Sequence, residues 1–215
     1  MGRLEVGPGI GAARPRLVFP NVRSPRAIVL MLHGGEVQGL EPARDWEPAQ
    51  ALLRPLGRQI HRDAPDIGVV RLANAVRGWN EPIRSPVADA HWALMRIRQQ
   101  FPGRPIGLVG HSMGGRTAFE LVARPEVSAL VALAPWLADG YDEHRFLSTP
   151  TLVVHGRQDL STNARASRDL VRRINTAGGE AHYESVIGSH MLLWRASLWR
   201  HTVSDFLAEH LLSAF

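Results

Sequence analysis

The sequence contains no cysteine and no lysine. The absence of cysteine excludes a disulfide framework and a thiol nucleophile. All 25 basic residues are therefore arginines, set against 20 acidic residues, which gives a formal net charge of +5. The arginines are scattered along the chain, with Arg172-Arg173 as the one adjacent pair. Nucleic-acid binding calls for basic residues clustered on one face or interleaved with aromatics. We therefore expect a solvated basic surface and no nucleic-acid partner.

Long apolar runs are also missing, so we expect no membrane span. Residues 1–15 are rich in glycine, proline and arginine and lack the apolar centre of a secretory signal, which favours a cytoplasmic location. This segment is interpreted as a leader without fixed structure or as an artificial extension. Residues 16–215 are interpreted as one domain, because a chain with 45% hydrophobic and 21% charged residues can form one ordinary core.

Short apolar runs alternate with longer segments of helical periodicity. A continuous apolar run is typical of a strand buried on both faces, and the alternation indicates parallel β-α-β units. We predict an α/β fold, with a mostly parallel central sheet and helices on both of its faces. The predicted strands are Ala27 to Leu32, Ile67 to Leu72, Ile106 to Val109, Ala129 to Ala134, Thr151 to Val154 and Ala181 to Ile187, with Leu17 to Phe19 as a weaker edge candidate. The predicted helices are Pro48 to Arg62, Pro86 to Gln100 with Ser85 as its N-cap, Thr117 to Arg124, Asn163 to Thr176 and Leu192 to Leu212.

The segment GHSMGG, residues 110–115, lies between a predicted strand and a predicted helix. It contains the pattern G-x-S-x-G, which in this context lifts its serine, Ser112, clear of the sheet edge as a nucleophile. Glycine is needed at 110 and 114 because a side chain there would collide with neighbouring backbone in so tight a turn. The alternative interpretation is a plain glycine-rich turn.

Two further polar residues, Asp159 and His190, each follow one of the last two predicted strands. The carboxyl ends of parallel strands meet at one edge of the sheet, so we expect both residues near Ser112. A serine hydroxyl is a good nucleophile only when a base takes its proton. We therefore predict Ser112, Asp159 and His190 as the catalytic residues. Asp139, which follows another predicted strand, is the alternative acid.

The other histidines are weaker candidates for the base. His111 adjoins Ser112, but neighbours along a strand point to opposite faces of the sheet. His33 and His155 each precede a glycine at the end of a predicted strand. We interpret these two residues as supports for their loops.

Five short motifs are distributed over residues 27–212. They are LHGG (32–35), RGWN (77–80), GHSMGG (110–115), HGRQD (155–159) and GSH (188–190). Together they resemble the α/β-hydrolase superfamily, and in particular its small serine hydrolases that lack a cap domain. The resemblance implies that Ser112 attacks a carbonyl carbon and that His190 relays the proton. Asp159 would then fix the imidazole tautomer and stabilise the imidazolium.

The resemblance also implies an oxyanion hole made of backbone amides. One donor is the amide after the nucleophile, that of Met113. The other comes from the loop after the first long predicted strand, where we predict the Gly35 amide with Glu36 as the alternative. A tight turn at the two glycines of this loop is compatible with that role.

Tryptophans follow two of the predicted strands at the same sheet edge. We predict that Trp79 and Trp136 line the substrate pocket, because an indole suits an acyl chain or an aromatic ring. Ordinary core packing is the alternative for both. Arg77 is expected to tie its loop to Glu81 or to bind a substrate carboxylate. Only about fifteen residues separate the fourth and fifth long strands, so we expect no cap domain and an open site.

The leading functional prediction is a carboxylic-ester hydrolase that works through an acyl-enzyme. A thioesterase or an acyltransferase would use the same residues, and the small-molecule substrate could therefore be an ester or a thioester. A non-catalytic binding protein that retains the fold is the alternative from another class. The sequence shows no metal-ligand spacing, and we expect neither a metal nor another cofactor.

Overall fold

The computed structural model describes residues 3–20, 22, 24–44, 48–137 and 140–213. Eight strands form one sheet in the order β1-β2-β4-β3-β5-β6-β7-β8. Strands β3 to β8 run parallel, while β1 and β2 are antiparallel to their neighbours. The strands are β1 Leu4–Val6, β2 Arg16–Val18, β3 Ala27–Leu32, β4 Ile67–Ala73, β5 Ile106–His111, β6 Val127–Leu133, β7 Thr151–Gly156 and β8 Ala181–Val186.

Helices cover both faces of the sheet, as the sequence predicts. They are α1 Pro48–Asp63, α2 Ser85–Gln100, α3 Met113–Leu121, α4 Ala164–Thr176 and α5 Ala196–Leu212. Alternate residues of the fully buried strand β3 enter two separate cores: Ile28 packs with the apolar residues of α2, α3 and α4, and Val29 with those of α1 and α5. Strand β3 is therefore apolar at every position, and the predicted α/β class is confirmed.

The connection from β6 to β7 is short. Its described part holds one 3₁₀ turn, Glu143–Phe146, and no inserted domain is evident there. The described part of this link therefore does not cover the carboxyl edge of the sheet, where the predicted catalytic residues lie. No helix in the described part of the chain is both long and apolar enough to cross a membrane.

The segment 1–15 departs from its interpretation as an unstructured leader. Within it, β1 pairs with β2 in the register Leu4↔Val18 and forms the outer strand of the sheet. Farther along the segment, the Gly7 amide donates a hydrogen bond to the carbonyl of Pro15 at 3.0 Å. Strand β1 has only three residues, and the side chains of Leu4 and Val6 are exposed. The sequence therefore contains no periodic apolar pattern that would predict this strand.

Three helix starts also differ from the predictions. Helix α3 begins at Met113, directly after the turn at Ser112, and not at Thr117. Helix α5 begins at Ala196 and not at Leu192, because Leu192 and Arg195 have φ values of 51° and 46°, which no α-helix accommodates. Ser85 is not the N-cap of α2. Its hydroxyl instead donates to the carbonyl of Gly78 at 3.0 Å, and Arg84 occupies the cap position in the left-handed conformation.

Phe119 in α3 is a direct test of the core. Its side chain is fully buried, and its ring meets those of Tyr141 and Phe146 edge-on at centroid distances of 5.4 Å. We expect Phe119→Ala to lower the free energy of unfolding by about 3–5 kcal/mol, because it removes these contacts and leaves a cavity. Denaturant titration measures this change, and Leu160→Ala, at a side chain that is 99% exposed, is the control. Equal stabilities of the two variants would contradict this account of the core.

Candidate active site

Ser112 occupies a sharp turn between β5 and α3. Its backbone angles, φ 54° and ψ −115°, lie in a region that residues other than glycine rarely adopt. A Cβ atom at position 110 would lie 2.2 Å from the carbonyl oxygen of Gly114, and one at 114 would lie 2.1 Å from that of Leu32. Glycine is therefore required at both positions. The Ser112 amide donates to the carbonyl of Leu133 at 2.9 Å, which holds the strained residue in place.

A cavity of about 250 Å³ opens beside Ser112. Ser112 and His190 both border it, so the structure brings the predicted nucleophile and base to one place. Asp159 lies behind His190, away from the cavity. The described lining residues are Gly34, Gly35, Glu36, Pro48, Ala49, Arg77, His111, Ser112, His190 and Met191.

The Asp159 side chain is fully buried and accepts hydrogen bonds at both oxygens. Oδ2 accepts from Nδ1 of His190 at 2.8 Å and from Oγ1 of Thr162 at 2.7 Å. Oδ1 accepts from the amides of Ser161 and Thr162 at 2.7 and 3.0 Å. Burial acts to raise the pKa of Asp159, but these hydrogen bonds outweigh it and lower the pKa to about 2. The carboxylate is therefore ionised at neutral pH.

The ionised carboxylate fixes the state of the His190 ring. A carboxylate can only accept, so Nδ1 of His190 carries a proton and donates it to Asp159. In the neutral imidazole, Nε2 is then the unprotonated nitrogen and can accept a proton. The arrangement has the chemistry of a general base whose orientation is set by a buried acid.

His155 contacts the same acid, which the sequence interpretation missed. Its Nε2 lies 3.1 Å from Oδ2 of Asp159, and its Nδ1 lies 3.0 Å from Oγ of Ser167. Burial lowers the pKa of His155 despite the attraction of the neighbouring carboxylate. The neutral ring therefore donates from Nε2 and accepts from the Ser167 hydroxyl. The four-residue spacing of histidine and aspartate in HGRQD was the available signal for this contact.

His111 supports the loop that carries His190. Its ring is buried and lies 4.8 Å from the ring of His190, and its Nε2 donates to the His190 carbonyl at 3.0 Å. Desolvation lowers the pKa of His111 to about 4, so the ring is neutral at neutral pH. His111 thus acts on the histidine at 190 rather than on its neighbour Ser112.

The loop after β3 places Gly35 beside Met113. A Cβ atom at Gly35 would lie 2.3 Å from the Arg77 carbonyl oxygen and 2.4 Å from Cε of Met113, so only glycine fits. The amide of Glu36, the alternative oxyanion donor, donates to the same Arg77 carbonyl at 3.0 Å. That amide is therefore already hydrogen-bonded within the protein. Gly35 and Gly34 both line the cavity, and the Gly35 amide remains the predicted donor of this loop.

His33 fixes the loop from inside, in agreement with its interpretation as a support. Its Nδ1 donates to the carbonyl of Gly34 at 2.6 Å, and its Nε2 accepts from the amide of Asn74 at 3.1 Å. These two bonds connect the end of β3 to the end of β4. The position of the Gly35 amide therefore depends on a buried histidine as well as on the glycine pair.

The predicted tryptophan pocket is wrong in its placement. Trp79 is 1% exposed and packs edge-on against Trp136 at a centroid distance of 6.1 Å. The Arg116 guanidinium lies over both indoles, 4.2 and 4.4 Å from their ring centres. Neither tryptophan borders the Ser112 cavity. The alternative of core packing applies to Trp79, and Trp136 borders a separate shallow depression near Asp159.

Arg77 pairs with a different acid from the one predicted. Its guanidinium lies 2.6 Å from Oε1 of Glu36 at the mouth of the cavity. Glu81 instead forms an ion pair with Arg84, whose Nε lies 3.0 Å from Oε2 of Glu81. Asp139, the alternative catalytic acid, lies outside the described residues. Within the described ranges, no group of three or more histidine, aspartate or glutamate side chains is placed to hold a metal ion.

Comparisons with known proteins agree with this geometry. A family model described as serine aminopeptidase, S33, matches residues 73–147. Est1E from Butyrivibrio proteoclasticus superposes with a TM-score of 0.74 at 14% identity, over 99% of this chain and 100% of that chain. The esterase Pf2001 from Pyrococcus furiosus gives 0.77 at 13% identity, over 98% of this chain and 91% of that chain. Esterase 2 from Thermogutta terrifontis, in a structure phosphorylated by paraoxon, gives 0.74 at 17% identity, over 97% and 94%.

No curated protein sequence matches the chain at a significant level. The fold class follows from the sheet order, the turn at Ser112 and the superpositions over nearly the whole chain. The chain has the α/β-hydrolase fold, and no cap domain is evident in its described part.

The lowered pKa of Asp159 makes a prediction about stability. A folded pKa of about 2 lies below the ordinary 3.8, so the contribution of the carboxylate is complete at neutral pH and is lost as the pH falls from about 4 towards about 2. We expect the difference in unfolding free energy between wild type and Asp159→Asn to shrink over that range. Denaturant titrations at neutral pH and near pH 2.5 measure this difference. The lower pH lies about half a pH unit above the folded pKa of Asp159.

Asp205→Asn is the matched control, because Asp205 is an exposed residue of α5. Its difference from wild type should stay small at both pH values. An Asp159→Asn difference that is the same at both pH values would show that the carboxylate charge contributes nothing to the folded state.

Proposed function

We propose that the protein is a serine hydrolase that cleaves carboxylic esters through an acyl-enzyme. Ser112 is the nucleophile, His190 the general base and Asp159 the acid that orients it. The observation that carries the proposal is the 2.8 Å hydrogen bond from His190 Nδ1 to the buried Asp159 carboxylate, in a histidine that shares a cavity with Ser112. Nucleophile, base and orienting acid are the three parts that such chemistry requires.

In the proposed first half-reaction, His190 Nε2 takes the proton from Ser112 as Oγ bonds to the substrate carbonyl carbon. The negative carbonyl oxygen of the tetrahedral intermediate accepts hydrogen bonds from the amides of Gly35 and Met113. The intermediate then collapses, the bond to the alcohol oxygen breaks, and His190 gives its proton to that oxygen. The products of this step are the alcohol and an acyl ester on Ser112.

The second half-reaction repeats these roles with water. His190 takes a proton from the water as its oxygen attacks the acyl carbon. Collapse of the second intermediate returns the proton to Ser112 Oγ and releases the carboxylic acid. Asp159 stays ionised throughout and stabilises the transient imidazolium, in line with its low pKa of about 2.

The substrate class is supported by the names of structural neighbours. Two of them are named as esterases, and one of these carries a phosphoryl group from paraoxon. Their identities to this chain are 13% and 17%, so ester cleavage by this protein is a proposal. The matching family model is named for an aminopeptidase. Covalent labelling should therefore be followed by a substrate panel in which one aminoacyl group is presented as an ester, as a thioester and as an anilide.

Covalent labelling tests the nucleophile. We expect wild type to form an adduct with a fluorophosphonate probe or with paraoxon, located on Ser112 by peptide mass spectrometry. Ser112→Ala should lose both the adduct and all ester turnover while its circular dichroism and unfolding curve stay those of wild type. Ser197→Ala, at an exposed serine of α5, is the matched control and should label fully. An adduct on another serine, or none on folded wild type, would contradict the proposal in favour of a binding protein.

Gly35→Ala tests the oxyanion donors. The added methyl would meet Arg77 O and Met113 Cε, so the loop must move away from Met113. We expect kcat for an ester to fall by about 10²-fold or more, the size of loss seen when one oxyanion donor is removed. Steady-state kinetics on an ester that wild type cleaves measures this loss.

Gly103→Ala is the control for the backbone effect of an added methyl group. It lies in a turn at the opposite end of the sheet, where a Cβ atom would meet nothing within 4 Å although φ is +73°. We expect it to reduce stability slightly and to leave kcat unchanged. A Gly35→Ala enzyme with wild-type kcat would remove this amide from the proposed mechanism.

A further inference from the structure

A second and larger cavity, of about 610 Å³, lies between α1 and β4. Its described lining residues are all different from those of the Ser112 cavity. Positive side chains dominate the lining, and no acidic side chain of the described residues belongs to it. These positive or titratable residues are Arg54, Arg58, His61 and Arg62 of α1 and Arg71 of β4. We call this cavity the arginine groove.

The spacing of the arginines explains why they meet. Arg54, Arg58 and Arg62 recur every fourth residue of α1 and therefore project from one side of the helix. Arg71 approaches from the strand that forms the other wall. All three helix arginines are exposed, so they reach the groove without displacing the apolar face of α1 that packs on the sheet.

A fifth arginine adds to the positive charge of this region. Arg200 of α5 is partly buried, and its Nε has no hydrogen-bond partner among the described residues. Burial and the nearby charge of Arg58 lower the pKa of the Arg200 guanidinium. Four arginines thus line the groove and a fifth lies near Arg58, and such a concentration of positive side chains on a concave surface attracts anions.

The remaining part of the lining is apolar. Pro20, Gly57 and Val69 contribute to it, and Gly57 packs so closely that its Cβ would lie 3.3 Å from Val69. A ligand that fits must therefore carry negative charge at one end and apolar or aromatic surface at the other. The volume falls within the range of small-molecule sites, about 300–1,000 Å³.

Guanidinium groups bind phosphate through paired hydrogen bonds, and several arginines match more than one negative charge. We propose that the arginine groove binds a small phosphorylated ligand with an aromatic or apolar portion, in the class of nucleoside diphosphates. The ligand lies along α1, whose first turn borders the Ser112 cavity through Pro48 and Ala49. At a rise of about 1.5 Å per residue, Arg54 and Arg62 lie about 9 and 21 Å farther along the helix. This binding does not depend on the hydrolase proposal.

Isothermal titration calorimetry at low ionic strength tests the proposal with adenosine diphosphate, pyrophosphate and uncharged adenosine as probes. We expect adenosine diphosphate to bind wild type more tightly than pyrophosphate does, and adenosine not to bind. Arg58→Gln/Arg62→Gln should weaken adenosine diphosphate binding by about a hundredfold, since each of the two charge-assisted contacts removed is worth roughly tenfold. Added salt should weaken binding to wild type as well.

The matched control is Arg165→Gln/Arg172→Gln, which removes the same two charges from exposed positions on α4, on the opposite face of the sheet. Glutamine is a good helix former, so both double variants should fold as wild type does, which circular dichroism checks. If the two double variants weakened adenosine diphosphate binding equally, net charge alone would account for the effect and the proposal would be overturned. Absence of binding by both phosphate probes would also overturn it.

Two other outcomes would overturn the proposed kind of ligand. Pyrophosphate binding as tightly as adenosine diphosphate would remove any role for the apolar lining. Sedimentation with phosphatidylglycerol vesicles, but not with phosphatidylcholine vesicles, in a protein that does not bind adenosine diphosphate would identify a lipid headgroup as the source of the phosphate.

Discussion

Backbone atoms from neighbouring strand ends touch around Ser112, and the rest of the site is arranged about this contact. A Cβ atom on Gly114 would overlap the Leu32 carbonyl, and one on Gly34 would lie 3.3 Å from Cβ of Ser112. The turn after β5 therefore packs directly on the end of β3. This close approach places the start of α3 beside the Gly35 loop, which is the arrangement that the proposed oxyanion hole requires.

Electrostatics at the site is organised around one buried negative charge. Asp159 is surrounded by donors, and burial keeps the imidazoles of His111 and His155 neutral. Three rings thus lie near one carboxylate, but they differ in surroundings. His190, with 18% of its side chain exposed, is the one that both reaches the cavity and contacts the acid.

Much of the fold could be predicted because the central strands are buried on both faces. A strand such as β3, with six buried residues, leaves a continuous apolar run that no surface element imitates. The outer strand β1 could not be predicted, since it is short and depends on pairing with β2. The start of α5 was misplaced because apolar residues continue upstream of Ala196, whereas the backbone there is fixed by a buried Leu192 whose carbonyl accepts from Trp199 at 2.9 Å.

The predicted site residues differ in how much sequence information specifies them. Ser112, Asp159 and His190 follow strand ends, where topology alone brings residues together. Trp79 also follows a strand, but its side chain turns inward under Arg116, and no local pattern distinguishes an indole in the core from one in a pocket. The arginine groove was missed for the opposite reason, because its residues were interpreted as surface residues without a common site. Its residues look scattered along the chain, yet a four-residue spacing on one helix and a neighbouring strand bring them together.

The short link between β6 and β7 has a consequence for selectivity. The described part of the chain places no inserted domain above Ser112, so the 250 Å³ cavity is the space that its described residues offer to the reacting group. In the proposed reaction the acyl portion must fit this space, whereas the alcohol portion extends into solvent and meets no wall. We therefore expect the proposed enzyme to select its substrates by the acid more strongly than by the alcohol.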